Sequence, residues 1–295
     1  MANSKTTLII GDVHCKTEMV LPLVDLAISK YKVEKVVFVG DYFDEWNVTA
    51  ETIYDEINKL IEWRNNKIDN GVEIVLLMGN HDYAYIDPFS SCSGHHFDAE
   101  PFAFRRLTEY MDIQAADVVG DKYLVTHAGV SSLYADEFLK GLNTPQEIAD
   151  ELNNKLDIAI DLAKKIKNGG LSRNDFPPML LGTLGWCGSE RGGRDKFSGP
   201  FWCGYNELNN NKLPKVSQIV GHTPTKTIIS TLVNDDDSDA YAIYWCDTFT
   251  VAPNMKPMGD KSFLLLDDDI LNIVIPVIDK DNNSKIELSS TPINV

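Results

Sequence analysis

Three short apolar runs punctuate the first eighty residues: Leu8-Ile9-Ile10, Val36-Val37-Phe38-Val39 and Ile74-Val75-Leu76-Leu77-Met78, each followed at once by glycine. Continuous apolar runs of this length, without polar alternation, predict strands covered on both faces, as in a largely parallel sheet. The stretches between them, residues 17–30 and 49–66, space their apolar side chains as a helix does. Ile53, Ile57, Leu60 and Ile61 fall on one face, which predicts the crossovers of two βαβ units.

Beyond residue 99 the pattern turns to more helix and then to antiparallel strand. Residues 118–125 read as a tight hairpin with a Gly120-Asp121 turn, and 145–167 as a long helix. A Gly- and Arg-rich loop, 182–204, has no period. Further strands are predicted over 219–220, 227–233, 240–246, 262–266 and 272–278. The acidic runs 235–237 and 267–269 fall between apolar strands, so exposed hairpin tips are predicted there and not cation sites. The expected architecture is one α/β domain over residues 1–295. Its mixed β-sheets pack as a sandwich flanked by α-helices, the second sheet being built by the C-terminal half.

Composition narrows the function. With 44 acidic and 27 basic side chains among 295 residues, the net charge is −17, which argues against stable nucleic-acid binding. At 43% hydrophobic the chain can bury a large core. The five cysteines, Cys15, Cys92, Cys187, Cys203 and Cys246, are odd in number and have no C-x-x-C spacing. They fit a reducing compartment and neither a disulfide framework nor a zinc ribbon. No apolar stretch approaches the roughly 20 residues of a membrane span and the first residues do not form a signal-peptide core, so a cytoplasmic location is expected.

The chemistry sits where strands end. The first three apolar runs lead into Gly11-Asp12-Val13-His14, Gly40-Asp41-Tyr42-Phe43-Asp44 and Gly79-Asn80-His81-Asp82. Downstream, Leu124-Val125 precedes Thr126-His127 and Ile219-Val220 precedes Gly221-His222-Thr223-Pro224. A single Asp or His at a strand end is ordinarily a turn former. Five such ends, carrying four of the six histidines, point into one crevice outside the carboxyl ends of the strands. His95 and His96 lie in a polar loop and are expected on the surface. Asp12, His14, Asp41, Asn80, His127 and His222 form a set of oxygen and nitrogen donors without thiolate, suited to Mn, Fe or Zn. Six ligands are too many for one catalytic ion with open positions and right for two ions sharing one carboxylate.

The order G-D-x-H, G-D-x-x-D, G-N-H-D, a strand-end His and then G-H resembles the calcineurin-like metallophosphoesterase superfamily over residues 8–247. Gly-His-Thr-Pro and the following Tyr244-Trp245-Cys246-Asp247-Thr248 are similar to its phosphoprotein phosphatase branch and the bacterial and phage relatives of that branch. The resemblance implies a phosphatase that hydrolyses phosphate monoesters of a phosphoprotein or a small molecule through a metal-activated hydroxide. It places Asp12, His14 and a bridging Asp41 on one divalent ion, and Asp41, Asn80, His127 and His222 on the other, with manganese the first choice and iron or zinc the others. His81 matches the acid that protonates the leaving oxygen, and Asp44 its orienting carboxylate. The chain departs from the family where Glu45-Trp46 replaces the usual Arg-Gly. Arg191 stands in a context similar to a second phosphate-binding Arg, with Arg194 the near alternative. Trp186 and Trp202 are expected to pack against the sheet. Rival functions are a dinucleoside polyphosphate hydrolase or other phosphodiesterase and, in another class, an inactive metal-binding interaction protein.

Overall fold

The computed structural model describes residues 5–87, 92–170, 183–235, 238–278 and 286–293. Its first half alternates as the apolar pattern predicts: β1 (Thr7–Ile10), α1 (Thr17–Tyr31), β2 (Lys35–Phe38), α2 (Ala50–Asp69) and β3 (Glu73–Leu76). Helix α2 starts where the Thr49 side chain accepts a hydrogen bond from the Thr52 N–H, and it buries Ile53, Ile57, Leu60 and Ile61. After the short α3 (Asn80–Tyr83) come α4 (Glu100–Glu109), β4 (Ala116–Val119), β5 (Tyr123–Thr126), α5 (Ser132–Phe138) and α6 (Pro145–Lys167). Helix α6 opens on a reciprocal Thr144–Glu147 cap with Pro145 in its first turn, which fixes its start at the predicted residue. The chain closes with α7 (Tyr205–Asn210), β6 (Ser217–Val220), β7 (Ile229–Asp235), β8 (Ser238–Trp245), β9 (Phe263–Asp267), β10 (Ile270–Ile278) and β11 (Ile286–Pro292).

Two mixed sheets result, in the orders β11-β10-β9-β1-β2-β3 and β4-β5-β6-β8-β7. Strands β1, β2 and β3 run parallel, as do β5, β6 and β8. The alternate residues Ile9, Val37, Val75 and Leu77 of the first sheet pack with Val125, Ile219 and Tyr244 of the second to form the inter-sheet core. The opposite faces carry Leu8, Ile10, Val36 and Phe38 toward α1 and α2, and Leu124 toward α6. Burial on both faces is what the unbroken apolar runs require.

The expectation for the second sheet needs correction. It is built from the middle of the chain, while the last three strands extend the first sheet. Leu264 pairs with Ile9 in an antiparallel ladder that occupies the free edge of β1, and Phe263–Leu266, apolar throughout, is thereby covered on both faces. Strand β11 escaped sequence reading because only Leu288 of Ile286–Pro292 is buried. The run 267–269 does form a tip: Asp268 and Asp269 adopt left-handed backbone, exposed between β9 and β10. Residues 236 and 237 of the other acidic run, and residue 182 of the predicted loop, lie outside the described residues.

Candidate metal centre and substrate cleft

The turns after β1, β2, β3, β5 and β6 converge on one centre. His14 N donates to Asp41 O at 2.6 Å, and Gly221 N donates to His127 O at 2.7 Å, which tie the turns to one another. Two glycines make the approach possible. A Cβ on Gly79 would lie 2.1 Å from Asp41 Oδ1, and one on Gly221 would lie 2.1 Å from Asp12 Oδ1. His14, Asp41, Asp44 and His222 all have φ between 44° and 63°. Left-handed backbone costs a non-glycine residue about 1–3 kcal/mol and persists only where neighbours enforce it. One enforcer is Asp82, whose carboxylate accepts the N–H groups of Asp41 at 2.8 Å, Tyr42 at 2.9 Å, Phe43 at 3.2 Å and Gly79 at 2.9 Å. Burial pushes the Asp82 carboxyl up to about 6, while these four donors pull it down.

Hydrogen bonds fix the imidazoles. A backbone carbonyl cannot donate, so His14 Nδ1 carries the proton given to Asp44 O at 2.9 Å, and His127 Nδ1 the proton given to Val39 O at 2.9 Å. Their Nε2 lone pairs then point the same way. Asp41 Oδ2 lies 3.5 Å from His14 Nε2 and 3.5 Å from His127 Nε2, three acceptors meeting with no hydrogen between them. Asn80 Oδ1 is 2.9 Å and His222 Nδ1 3.2 Å from the same nitrogen of His127. Asp12 accepts the His222 N–H through both oxygens at 3.0 Å, with Oδ2 4.0 Å from His14 Nε2.

Burial raises the carboxyls of Asp12 and Asp41 well above the usual range, followed by the charge of Asp247 for Asp12 and that of Asp12 for Asp41. Burial, followed by neighbouring cationic groups, lowers His14 and His222, and burial brings His127 down to about 3. Neutral imidazoles and crowded carboxylates facing one another are a donor set that divalent cations fit. The ligand atoms of Asp41, His127 and His222 lie within 4.8 Å of one another, and so do those of His14, Asp41 and His81.

The centre floors a cleft of ≈ 370 Å³. His81 Nδ1 faces Asp44 Oδ2 at 3.3 Å, and Tyr85 Oη donates to Asp44 Oδ1 at 2.5 Å. Arg191 lines the cleft, its Nη2 directed at Thr223 Oγ1 and, at 3.5 Å, at the His222 carbonyl. Arg194 is exposed and is not part of the cleft wall. Glu45, standing where the family has Arg, is paired with Lys16 and largely buried, while Trp46 forms part of the rim. Trp186 packs on Phe138 and Phe197, whereas Trp202 lines the cleft and meets His222 edge-on at 5.7 Å. His95 is half-buried and not fully exposed. It stacks on Tyr85 at 4.3 Å because that ring, whose Oη also accepts the His96 N–H, anchors the loop.

Sequence reasoning gave no role to Asp82, Tyr85 or Asp247. Asp82 and Asp247 stand inside quoted motifs, which was a usable signal. Asp247, buried beside Asp12, accepts from Thr250 Oγ1 at 2.7 Å and also lines the cleft. Nothing local to Tyr85 marks it, since its partner lies 41 residues earlier.

A model of the calcineurin-like phosphoesterase family matches residues 5–226. The chain belongs to that family, whose members are metal-dependent hydrolases of phosphoester bonds. Among solved structures it is similar to a single-residue mutant of a cold-active protein tyrosine phosphatase, with TM-score 0.57 and 18% identity over 97% of this chain and 80% of that one. The cold-active protein-tyrosine phosphatase of a psychrophilic Shewanella species gives TM-score 0.54 and 18% identity over the same shares. A yeast (Saccharomyces cerevisiae) protein serine/threonine phosphatase aligns at 15% identity over 100% of this chain and 82% of that one, with TM-score 0.42. The two cold-active enzymes bear on the fold, which matches metallophosphoesterase structures. No curated protein matches the sequence. Among the described residues, no helix is long and apolar enough to cross a membrane.

Proposed function

We propose that this chain hydrolyses phosphate monoesters, using two divalent cations held by its strand-end side chains. Asp12, His14 and Asp41 are assigned to one cation, and Asp41, Asn80, His127 and His222 to the other, with manganese ahead of iron and zinc. The observation that carries the reading is the position of Asp41 Oδ2, equidistant at 3.5 Å from unprotonated nitrogens of His14 and His127. Because these ligands come from both sheets, the whole chain is taken as one working domain.

When bound, the cations supply Lewis acidity to the phosphoryl group and acidify water beside it. The protein's own groups do the rest. Arg191 holds phosphate oxygens from the cleft wall, its fork suited to two at once. Asp44 orients the His81 ring through Nδ1, so that Nε2 can pass a proton to the leaving oxygen. Lys16 neutralises Glu45, which removes a charge that would repel the substrate. Phosphoproteins are the first substrate class to test. Phosphotyrosine joins phosphoserine and phosphothreonine on the strength of the cleft's aromatic rim and the names of two structural neighbours.

The test is to strip metal with chelator, restore manganese, iron or zinc singly, and assay phosphopeptides, p-nitrophenyl phosphate, a dinucleoside polyphosphate and a phosphodiester. Monoester turnover should return with two equivalents of manganese. Full turnover in excess chelator, or a diester or polyphosphate hydrolysed faster than every monoester, would overturn the reading.

A further inference from the structure

A second cluster of metal-ligating side chains stands behind the His81–Asp44 pair. An Asp44 carboxylate oxygen, Cys92 Sγ and a ring nitrogen of His95 all lie within 4.8 Å of one another. Cys92 Sγ points at Asp44 Oδ2 from 3.5 Å. His95 is held face to face on Tyr85, with its ring plane 29° from parallel, and its Nδ1 is buried without a partner among the described residues. Asp44 is 1% exposed, and the adjoining Ser93 and Gly94 line the substrate cleft, which gives a small ion an entry path.

We propose that Asp44, Cys92 and His95 form a third cation site, selective for zinc, whose occupation takes Asp44 away from His81. Selectivity follows from the donor set. One thiolate, one imidazole and one carboxylate are a set zinc favours, whereas manganese and magnesium prefer oxygen and avoid sulfur. The centre assigned to catalysis has no sulfur ligand, so the two sites distinguish metals by chemistry. On ligation the Cys92 thiol releases its proton to solvent, and water completes the tetrahedron.

The consequence depends on a shared atom. Asp44 Oδ2, which faces Cys92, is also the oxygen 3.3 Å from His81 Nδ1. A cation on that oxygen takes away the acceptor that holds the His81 ring by its Nδ1. Zinc therefore inhibits by disabling the proton donor, without displacing either catalytic ion. This inhibitory half rests on the function proposed above, while the existence of the site does not.

The test separates the two. Full-length protein loaded with manganese is titrated with Co²⁺ as a spectroscopic substitute for zinc. Sulfur ligation gives a near-ultraviolet charge-transfer band that nitrogen and oxygen ligands do not. The expected result is a band at a third equivalent of metal that is absent in Cys92→Ser, with Zn²⁺ affinity at this site weakened at least about tenfold in His95→Gln. A parent protein without the band, or a band that survives in Cys92→Ser, overturns the site even if the protein proves inactive on every ester. Zinc should also slow alkyl phosphates more than p-nitrophenyl phosphate, and each variant, measured against its own zinc-free rate, should resist zinc. Equal zinc inhibition of parent and variants, with the band present in the parent, overturns the competition for Asp44.

Discussion

The two halves of the centre differ in how far they are closed. Asn80, His127 and His222, from the ends of β3, β5 and β6, are 2%, 0% and 9% exposed. They draw on both sheets, and inter-sheet packing fixes them. The other half, Asp12 and His14, comes from the single turn after β1, and the His14 side chain is 14% exposed beside a His81 that is 16% exposed. The closed half is suited to holding an ion in fixed geometry. On the proposed function, the open half, with the His81–Asp44 pair on one flank, is where water, substrate and leaving group would exchange. Asp41 joins them, and its left-handed backbone is held by Asp82 from a third turn.

Breaking the join should cost most. Asp41→Asn keeps the shape and removes the charge that both ions share, so activity should fall by about 10⁴-fold or more, equivalent to several kcal/mol of transition-state stabilisation. Metal analysis should show loss from both halves. Retention of two ions with near-parent kcat/KM would show that Asp41 does not bridge.

The open flank comes next. His81→Ala should slow an alkyl phosphate by roughly 10³-fold while slowing p-nitrophenyl phosphate far less, because an acidic phenol leaves without a proton. Two ions should remain bound. The ring of His81 is near enough to His14 and Asp41 to ligate, so a fall in metal content with equal slowing of both substrates would make it a ligand and move the boundary between the halves.

Arg191→Ala should cost about 3 kcal/mol, roughly 10²-fold in kcat/KM, and Arg191→Lys much of that, since an ammonium cannot reproduce the guanidinium fork. Arg194→Ala, removing an exposed side chain off the cleft wall, should stay within about twofold. The reverse order would transfer phosphate binding to Arg194. No effect from either would leave substrate affinity to the cations alone.

The sequence marked the residues of the closed half as plainly as those of the open one, because each proposed ligand directly follows an apolar strand and burial leaves few residue types possible there. The same unbroken apolar pattern marked β1 to β3, while residues 145–167 read as one long helix without its cap. What stayed hidden depended on distant partners. The edge that receives β9 is chosen by the Ile9–Leu264 register, which no local pattern encodes. The neutralisation of Glu45 by Lys16 and the seating of His95 on Tyr85 are likewise meetings of residues that look like surface polars one at a time.

The smallest expected effect concerns Tyr85, which touches none of the side chains assigned to the two catalytic cations. Its hydroxyl donates to Asp44 Oδ1 at 2.5 Å and accepts from His96 N at 3.1 Å, while its ring meets Phe43 at 5.3 Å and His95 at 4.3 Å. Tyr85→Phe keeps both ring contacts and deletes only the hydroxyl, leaving Asp44 freer to rotate away from His81. A positioning role predicts a loss of about 1 kcal/mol, roughly three- to tenfold in kcat for an alkyl phosphate, with KM and metal content unchanged. The loss should nearly vanish for p-nitrophenyl phosphate, and again in a His81→Ala background, where there is no ring left to orient. A merely structural hydroxyl would instead lower the Tm, slow both substrates alike and add its full cost on top of His81→Ala. That outcome would confine the open half's proton chemistry to His81 and Asp44.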